Sequence, residues 1–243
     1  MSDWSSDEFQ RQWFAPKPGD PYYICLSDLR IAIQRLIPPQ RSRVLDYGCG
    51  GSPYRSLFEG SIYHRADLAG GENLDFEYRA DSRLPSEAFA YDCVLSTQVL
   101  EHVEDPAVYL EECYRVLKPG GHLLLTTHGI FEDHACPHDY WRWTSLGLRQ
   151  MLEKTGFKVH DSYKLTTGPR GVVFLIEREL ARLNFKRAGA YDYLLWFGFR
   201  IIRMLGVRRL HKASDKSFPQ HRVVDASEAG HNIYICVAML AAR

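Results

Sequence analysis

Two carboxylates twenty-one residues apart, Asp46 and Asp67, bracket a glycine-rich turn, a spacing suited to holding a nucleotide-like cofactor. The turn reads Val44-Leu45-Asp46-Tyr47-Gly48-Cys49-Gly50-Gly51. Glycines there let the backbone bend sharply and approach a ligand where a Cβ would collide. An acid at the end of the following strand can accept both hydroxyl protons of a ribose. Pro53 stands where the third glycine of G-x-G-x-x-G would fall, which weighs against a nicotinamide dinucleotide.

A second group of reactive types lies further along: His102, His128, His134 and His138. Histidine is the side chain that exchanges protons most readily near neutral pH. His134, Cys136, His138 and Asp139 are also metal-ligand types. Their alternate spacing, interrupted by Pro137, matches no zinc module, so no metal site is expected, a loosely held magnesium being the remaining metal option.

Short apolar runs that alternate with helical stretches must position these groups. Strands are expected at Arg43 to Asp46, Ser61 to Asp67, near Asp75 to Arg79, at Tyr91 to Ser96, His122 to Thr127, Phe157 to Leu165 and Asn232 to Ala241. Helices are expected at Pro106 to Leu117 and Ser145 to Lys154. This alternation is the pattern of a doubly wound α/β domain over residues 41–243, with ligands at the carboxyl ends of its strands. Residues 1–40 read as an aromatic-rich N-terminal arm whose helix, Ser27 to Leu36, is stopped by Pro38-Pro39. Residues 166–231 read as an insertion before the last strand, with helices at Val172 to Leu183 and Tyr191 to Leu210.

Composition narrows the function classes. Thirty Lys and Arg balance thirty Asp and Glu, so nothing recruits a nucleic-acid backbone. Six cysteines without a CxxC pair suit a reducing, cytoplasmic compartment. The polar N-terminus is unlike a secretory signal, and no run is long and apolar enough to span a membrane. The segment 191–212, aromatic at one end and basic at the other, suits either a helix at the inner membrane surface or, the favoured reading, a core or homodimer helix.

From Val44 to Val159 the chain resembles class I S-adenosylmethionine-dependent methyltransferases, especially the small-molecule group known as type 11. The resemblance is carried by V-L-D-Y-G-C-G-G, the acid Asp67, A-D-S-R-L-P at 80–85, F-A-Y-D-C-V-L-S-T-Q-V-L-E-H-V at 89–103 and E-C-Y-R-V-L-K-P-G-G-H-L-L-L-T-T at 112–127. It implies a mostly parallel, seven-stranded Rossmann-like sheet with S-adenosyl-L-methionine as cofactor and S-adenosyl-L-homocysteine as product. By the same resemblance Asp46, Gly48 and Gly50 line the methionine half, Asp67 holds the ribose, Asp81 and Ser82 reach the adenine, and Gln98 lies by the amino-acid end, with Tyr47, Cys49 and Leu68 also among the cofactor-binding residues.

Methyl transfer is an in-line displacement, so the protein must align a nucleophile and exclude water. A hydroxyl acceptor also needs a base, for which His128 and His138 are the first candidates and His102 the third. The segment H-D-Y-W-R-W-T at 138–144 resembles one in methyltransferases of bacterial polysaccharide and sugar pathways. It makes Tyr140 and Arg142 the candidate substrate-binding residues, and a sugar, glycan or related small molecule the expected acceptor. A natural-product or quinone methyltransferase and a catalytically silent cofactor-binding relative are the alternatives.

Overall fold

The computed structural model describes residues 7–39, 41–68, 73–78, 82–182 and 190–243. Eight strands form one sheet in the order β3-β2-β1-β4-β5-β8-β6-β7. They are β1 Arg43–Tyr47, β2 Ile62–Leu68, β3 Phe76–Tyr78, β4 Tyr91–Thr97, β5 Leu117–His128, β6 Lys158–Thr167, β7 Val223–Asp225 and β8 Tyr234–Ala242. The first five in space are mutually parallel; β8 is antiparallel to both β5 and β6, so β6 again runs with β5.

The expectation of seven strands is corrected to eight. The extra strand, β7, pairs antiparallel with β6 inside the insertion, and three residues are too few to leave an alternation in sequence. Strand β5 is also longer than its apolar run, because Lys118-Pro119-Gly120-Gly121 continues the strand after the helix ends.

Six helices flank the sheet in the described residues: α1 Asp7–Phe14, α2 Tyr23–Leu36, α3 Pro106–Val116, α4 Ser145–Thr155, α5 Gly168–Arg182 and α6 Ala190–Ser217. Their ends follow local chemistry. Asp105 caps α3 by accepting from the Ala107 and Val108 amides, with Pro106 in the first turn, where a missing N–H costs nothing. Thr144 caps α4, which closes on Gly156 at φ 105. Helix α6 contains the whole of the segment 191–212 and runs on to Ser217. Among the described residues no helix is long and apolar enough to cross a membrane.

The two faces of the sheet carry separate cores. Leu45, Tyr47, Leu123 and Leu125 face α3 and α4 through Tyr109, Leu110, Cys113 and Leu148. Val44, Leu95 and Leu124 face α2 and α5 through Ile24, Leu29, Ile33 and Phe174. Each fully buried Leu or Ile contributes roughly 1.5–3 kcal/mol through its removal from water. All six cysteines are free, and five of them are buried.

A buried ionic knot fastens the insertion to this frame. Asp28 of α2 accepts from Arg170 of α5 at 2.7 and 3.0 Å, from Arg222 at 2.8 Å and from the Thr166 hydroxyl at 2.8 Å. The insertion is thereby held at the same edge of the sheet as the carboxyl ends of β1, β4 and β5.

Candidate active site

The glycine turn leaves β1 at that edge. Gly48 has φ 78 and Gly50 φ 47, a region glycine enters freely. A Cβ on Gly48 would lie 2.5 Å from a Val99 methyl, so the turn packs too closely on the segment that follows β4 for any other residue. The Gly48 and Cys49 amides both donate to the Ala66 carbonyl, at 2.8 and 3.1 Å. The Gly50 amide donates to Asp67 Oδ2 at 2.6 Å, and the Leu68 amide to Oδ1 at 2.7 Å.

Asp46 is buried beneath the turn and accepts from the Tyr63 hydroxyl at 2.7 Å. Burial pushes its carboxyl up to about 7, with the Tyr63 and Ser52 hydrogen bonds opposing. Tyr47 packs inward, stacked on Tyr109 at 4.3 Å, and its hydroxyl donates to the Ser82 carbonyl. Cys49 is buried and Leu68 partly exposed. Ser82 and Gln98 both adopt left-handed backbone, at φ 57 and 55. Gln98 is fixed there by its amide to the Thr126 carbonyl at 2.9 Å and its side chain to the Thr126 hydroxyl at 3.0 Å.

The structure therefore gathers Asp46, Tyr47, Gly48, Cys49, Gly50, Asp67, Leu68, Ser82 and Gln98 around the carboxyl ends of β1, β2 and β4. Asp81 lies outside the described residues. A close glycine turn beside a carboxylate suits the approach of a nucleoside with an amino-acid tail.

The histidines converge beside this cradle. His128, buried at the end of β5, has Nε2 3.2 Å from Glu101 Oε1 and Nδ1 3.4 Å from the Cys236 thiol. Burial holds its pKa well below the ordinary histidine value, so the ring is neutral. Burial likewise pushes Glu101 up to about 7. One face of His128 stacks on Phe131 at 3.8 Å, and Phe131 stacks in turn on Tyr22 and Phe174 at 6.2 and 5.8 Å.

The 138–144 segment is strapped across this group. The Tyr140 and Trp141 amides donate to the Glu101 carbonyl at 2.8 and 3.2 Å, and the Trp143 amide to the His128 carbonyl at 2.8 Å. His102 Nδ1 donates to the His138 carbonyl at 2.6 Å, which leaves Nε2 as its basic nitrogen. Burial lowers the His102 pKa. The imidazole of His138 is exposed, and among the described residues neither of its nitrogens has a hydrogen-bond partner.

Arg142 has a different place from the one its side chain suggests. Its guanidinium has five N–H donors. They go to Asp139 twice at 2.6 Å, Glu132 O at 2.7 Å, Trp141 O at 2.8 Å and Phe131 O at 3.1 Å, leaving none for a substrate. Burial opposes the charge on Asp139, but the Arg142 bonds and the His134 amide outweigh it and hold that carboxyl well below the ordinary range. Tyr140 and Trp141 remain exposed, while Trp143 is buried.

Glu101, Phe131, Glu132 and Cys236 are site residues that sequence reasoning passed over. Glu101 left a signal, an acid inside the apolar run Val99-Leu100-Glu101; the others carried none. Glu101, His102 and His134 present nitrogen or oxygen atoms within 4.8 Å of one another, the group among the described residues best spaced to share a cation.

Comparison with known proteins agrees with this geometry. A family model described as a methyltransferase domain matches residues 26–162. The chain is 31% identical over 137 residues to a ubiquinone biosynthesis O-methyltransferase of Xylella fastidiosa, covering 49% of this chain and 55% of that protein. It is 36% identical over 100 residues to the enzyme of that name from Caulobacter vibrioides, covering 35% and 40% respectively. The chain thus spans about half the length of the curated relatives it matches.

Among solved structures, phosphoethanolamine N-methyltransferase 2 of Haemonchus contortus, with phosphomonomethylethanolamine and S-adenosylhomocysteine, aligns at TM-score 0.52 and 18% identity over 97% of this chain and 56% of that one. A SAM-dependent methyltransferase of Archaeoglobus fulgidus aligns at TM-score 0.52 and 17% identity, covering 98% of this chain and all of that one. The cyclase SpnF aligns at TM-score 0.55 and 16% identity over 95% and 85%, so this fold also carries other chemistry. With its family model matched over more than half its length and its sheet shared with these structures, the chain belongs to the methyltransferase-domain family.

Proposed function

We propose that this protein transfers a methyl group from S-adenosyl-L-methionine to a hydroxyl of a small aromatic acceptor. The observation that carries the reading is the joining of two half-sites at one sheet edge: a glycine turn tied to the carboxylate of Asp67, and a neutral His128 stacked on Phe131. When bound, S-adenosylmethionine supplies an activated methyl group on a sulfonium sulfur.

The residues of this chain then have distinct tasks. Asp67 accepts the ribose hydroxyls, and the buried Asp46 and Gln98 hold the amino-acid end. Phe131, stacked between His128 and the Tyr22 and Phe174 rings, offers an aromatic edge against which a planar acceptor packs. His128 already has both nitrogens directed at Glu101 and Cys236, so it orients the pocket. His138, exposed and free, takes the acceptor hydroxyl's proton on a ring nitrogen.

The aromatic-acceptor reading is also supported by the likeness to ubiquinone biosynthesis O-methyltransferases. A sugar acceptor has one observation in its favour, the exposed Tyr140 and Trp141, on which a sugar face could stack. The fully occupied Arg142 speaks for the aromatic reading instead. Incubation with radiolabelled S-adenosylmethionine and either catechols or nucleotide sugars separates the two: label in the catechol fraction supports the proposal, and label only in the sugar fraction reverses it.

A further inference from the structure

Arg65 sits in the middle of β2, opposite Asp46 in the sheet register and two residues before Asp67. Among the described residues its guanidinium reaches acceptors at three positions on two different loops. Nε donates to the Ser52 hydroxyl at 2.9 Å, Nη2 to the Gly50 carbonyl at 2.9 Å and Nη1 to the Asn73 carbonyl at 3.0 Å. All three partners have left-handed backbone, with φ 47 at Gly50, 53 at Ser52 and 55 at Asn73. Asparagine tolerates this conformation, but a serine such as Ser52 persists in it chiefly when its surroundings hold it there.

The arginine is itself held firmly. Its amide donates to the Asp75 carboxylate at 2.7 Å, and its carbonyl accepts from the Asp75 amide at 2.9 Å. A planar fork whose donors point in fixed, separate directions can span acceptors on two loops, whereas the three donors of a lysine ammonium diverge from a single nitrogen on a flexible stem. With its carbonyl bound by Arg65, Gly50 presents its amide to Asp67 at 2.6 Å. The positive charge also lies near the buried Asp46 and favours its ionised form.

We propose that Arg65 is the positioning residue of the cofactor cradle: it fixes the glycine turn and the 73–75 segment at the separation a nucleoside cofactor needs across Asp67. The inference rests on the reading of Asp67 and the glycine turn as the cofactor site. Arg65 touches the backbone that touches the cofactor, so its effect falls on affinity through the geometry of Gly50 and Ser52.

The test is calorimetric titration of the full chain with S-adenosylhomocysteine, for the wild type, Arg65→Met, Arg65→Lys and Asp67→Ala, together with amide hydrogen exchange without ligand. Arg65→Met is expected to weaken binding by about tenfold or more, with faster exchange at Gly50 and Ser52 and unchanged protection in β4. Arg65→Lys is expected to restore little, because an ammonium's donors all leave one nitrogen and cannot span both loops as the fork does.

Wild-type affinity in Arg65→Met beside a loss in Asp67→Ala overturns the inference and leaves the cofactor site standing. Wild-type affinity in both variants overturns the site reading itself. Faster exchange throughout β4 makes Arg65 a general stabilising residue and also overturns the proposal. If Arg65→Met does not fold, Arg65→Lys decides: a clear loss of affinity supports the role, and full affinity contradicts it.

Discussion

His128 and Phe131 stack face to face, their ring centroids 3.8 Å apart and their planes 10° apart. The imidazole is buried and neutral, so the pair forms a flat apolar wall rather than a charged one. The wall is continued by Tyr22 from the N-terminal arm and Phe174 from the insertion, so segments outside the shared sheet shape the proposed acceptor side.

Removal of that wall should be felt by the acceptor and not by the cofactor. Aromatic pairs contribute about 0.5–1.5 kcal/mol beyond the area they bury. Phe131→Ala is expected to raise the KM for an aromatic acceptor by roughly tenfold and to leave S-adenosylhomocysteine affinity within about twofold. An unchanged KM would mean that the acceptor does not lie against this pair.

The two leading histidines should behave differently. General-base removal typically costs a factor of about 10²–10⁴ in turnover. His138→Ala is expected to lose turnover on that scale while it binds S-adenosylhomocysteine normally. His128→Ala is expected to lose stability as well, since it vacates a buried site between Glu101 and Cys236. Equal turnover in His138→Ala returns the proton-accepting role to another group.

Asp46 makes a signed prediction for pH. Its folded pKa of about 7 lies above the ordinary carboxylate value of 3.8, so the folded protein holds a proton that the unfolded chain releases. The contribution of Asp46 to stability is therefore fully present below the unfolded value and is lost as pH rises through about 7. Thermal unfolding of the cofactor-free protein at pH 5 and pH 8, for the wild type and Asp46→Asn, isolates it. The stability of the wild type relative to the variant should fall as the pH rises; a difference independent of pH contradicts the assignment.

The Asp28 knot predicts a large effect on stability. Asp28→Ala leaves the buried guanidinium of Arg170 with Asp215 as its remaining carboxylate, at 2.9 Å, and takes a charged partner from Arg222 and a hydrogen bond from Thr166. Breaking a buried pair from one side costs about 3–5 kcal/mol. Denaturant unfolding should show a loss of that size, whereas a loss under about 1 kcal/mol would place the pair in the class of solvated surface bridges.

The parts that could be read in sequence are those ruled by local chemistry. The turn Gly48 to Gly51, the strands of continuous apolar text and the helix starts at Pro106 and Ser145 announce themselves through residue type and spacing. Arg142 shows the limit: its neighbours suggest a ligand-binding arginine, yet its donors close the loop on Asp139 and on carbonyls ten and eleven residues back. Arg65, Glu132 and Cys236 act through partners distant in the chain or set by a fold of the backbone, and nothing local marks them. Strand β7 escaped notice because three residues carry no period.

The central claim is that the turn and Asp67 hold S-adenosylmethionine, and calorimetric titration with S-adenosylhomocysteine, beside a nicotinamide dinucleotide as control, tests it most directly. The account predicts micromolar binding of S-adenosylhomocysteine, weakened in Asp67→Ala, and no heat from the dinucleotide. Tight binding of the dinucleotide without binding of S-adenosylhomocysteine would contradict it.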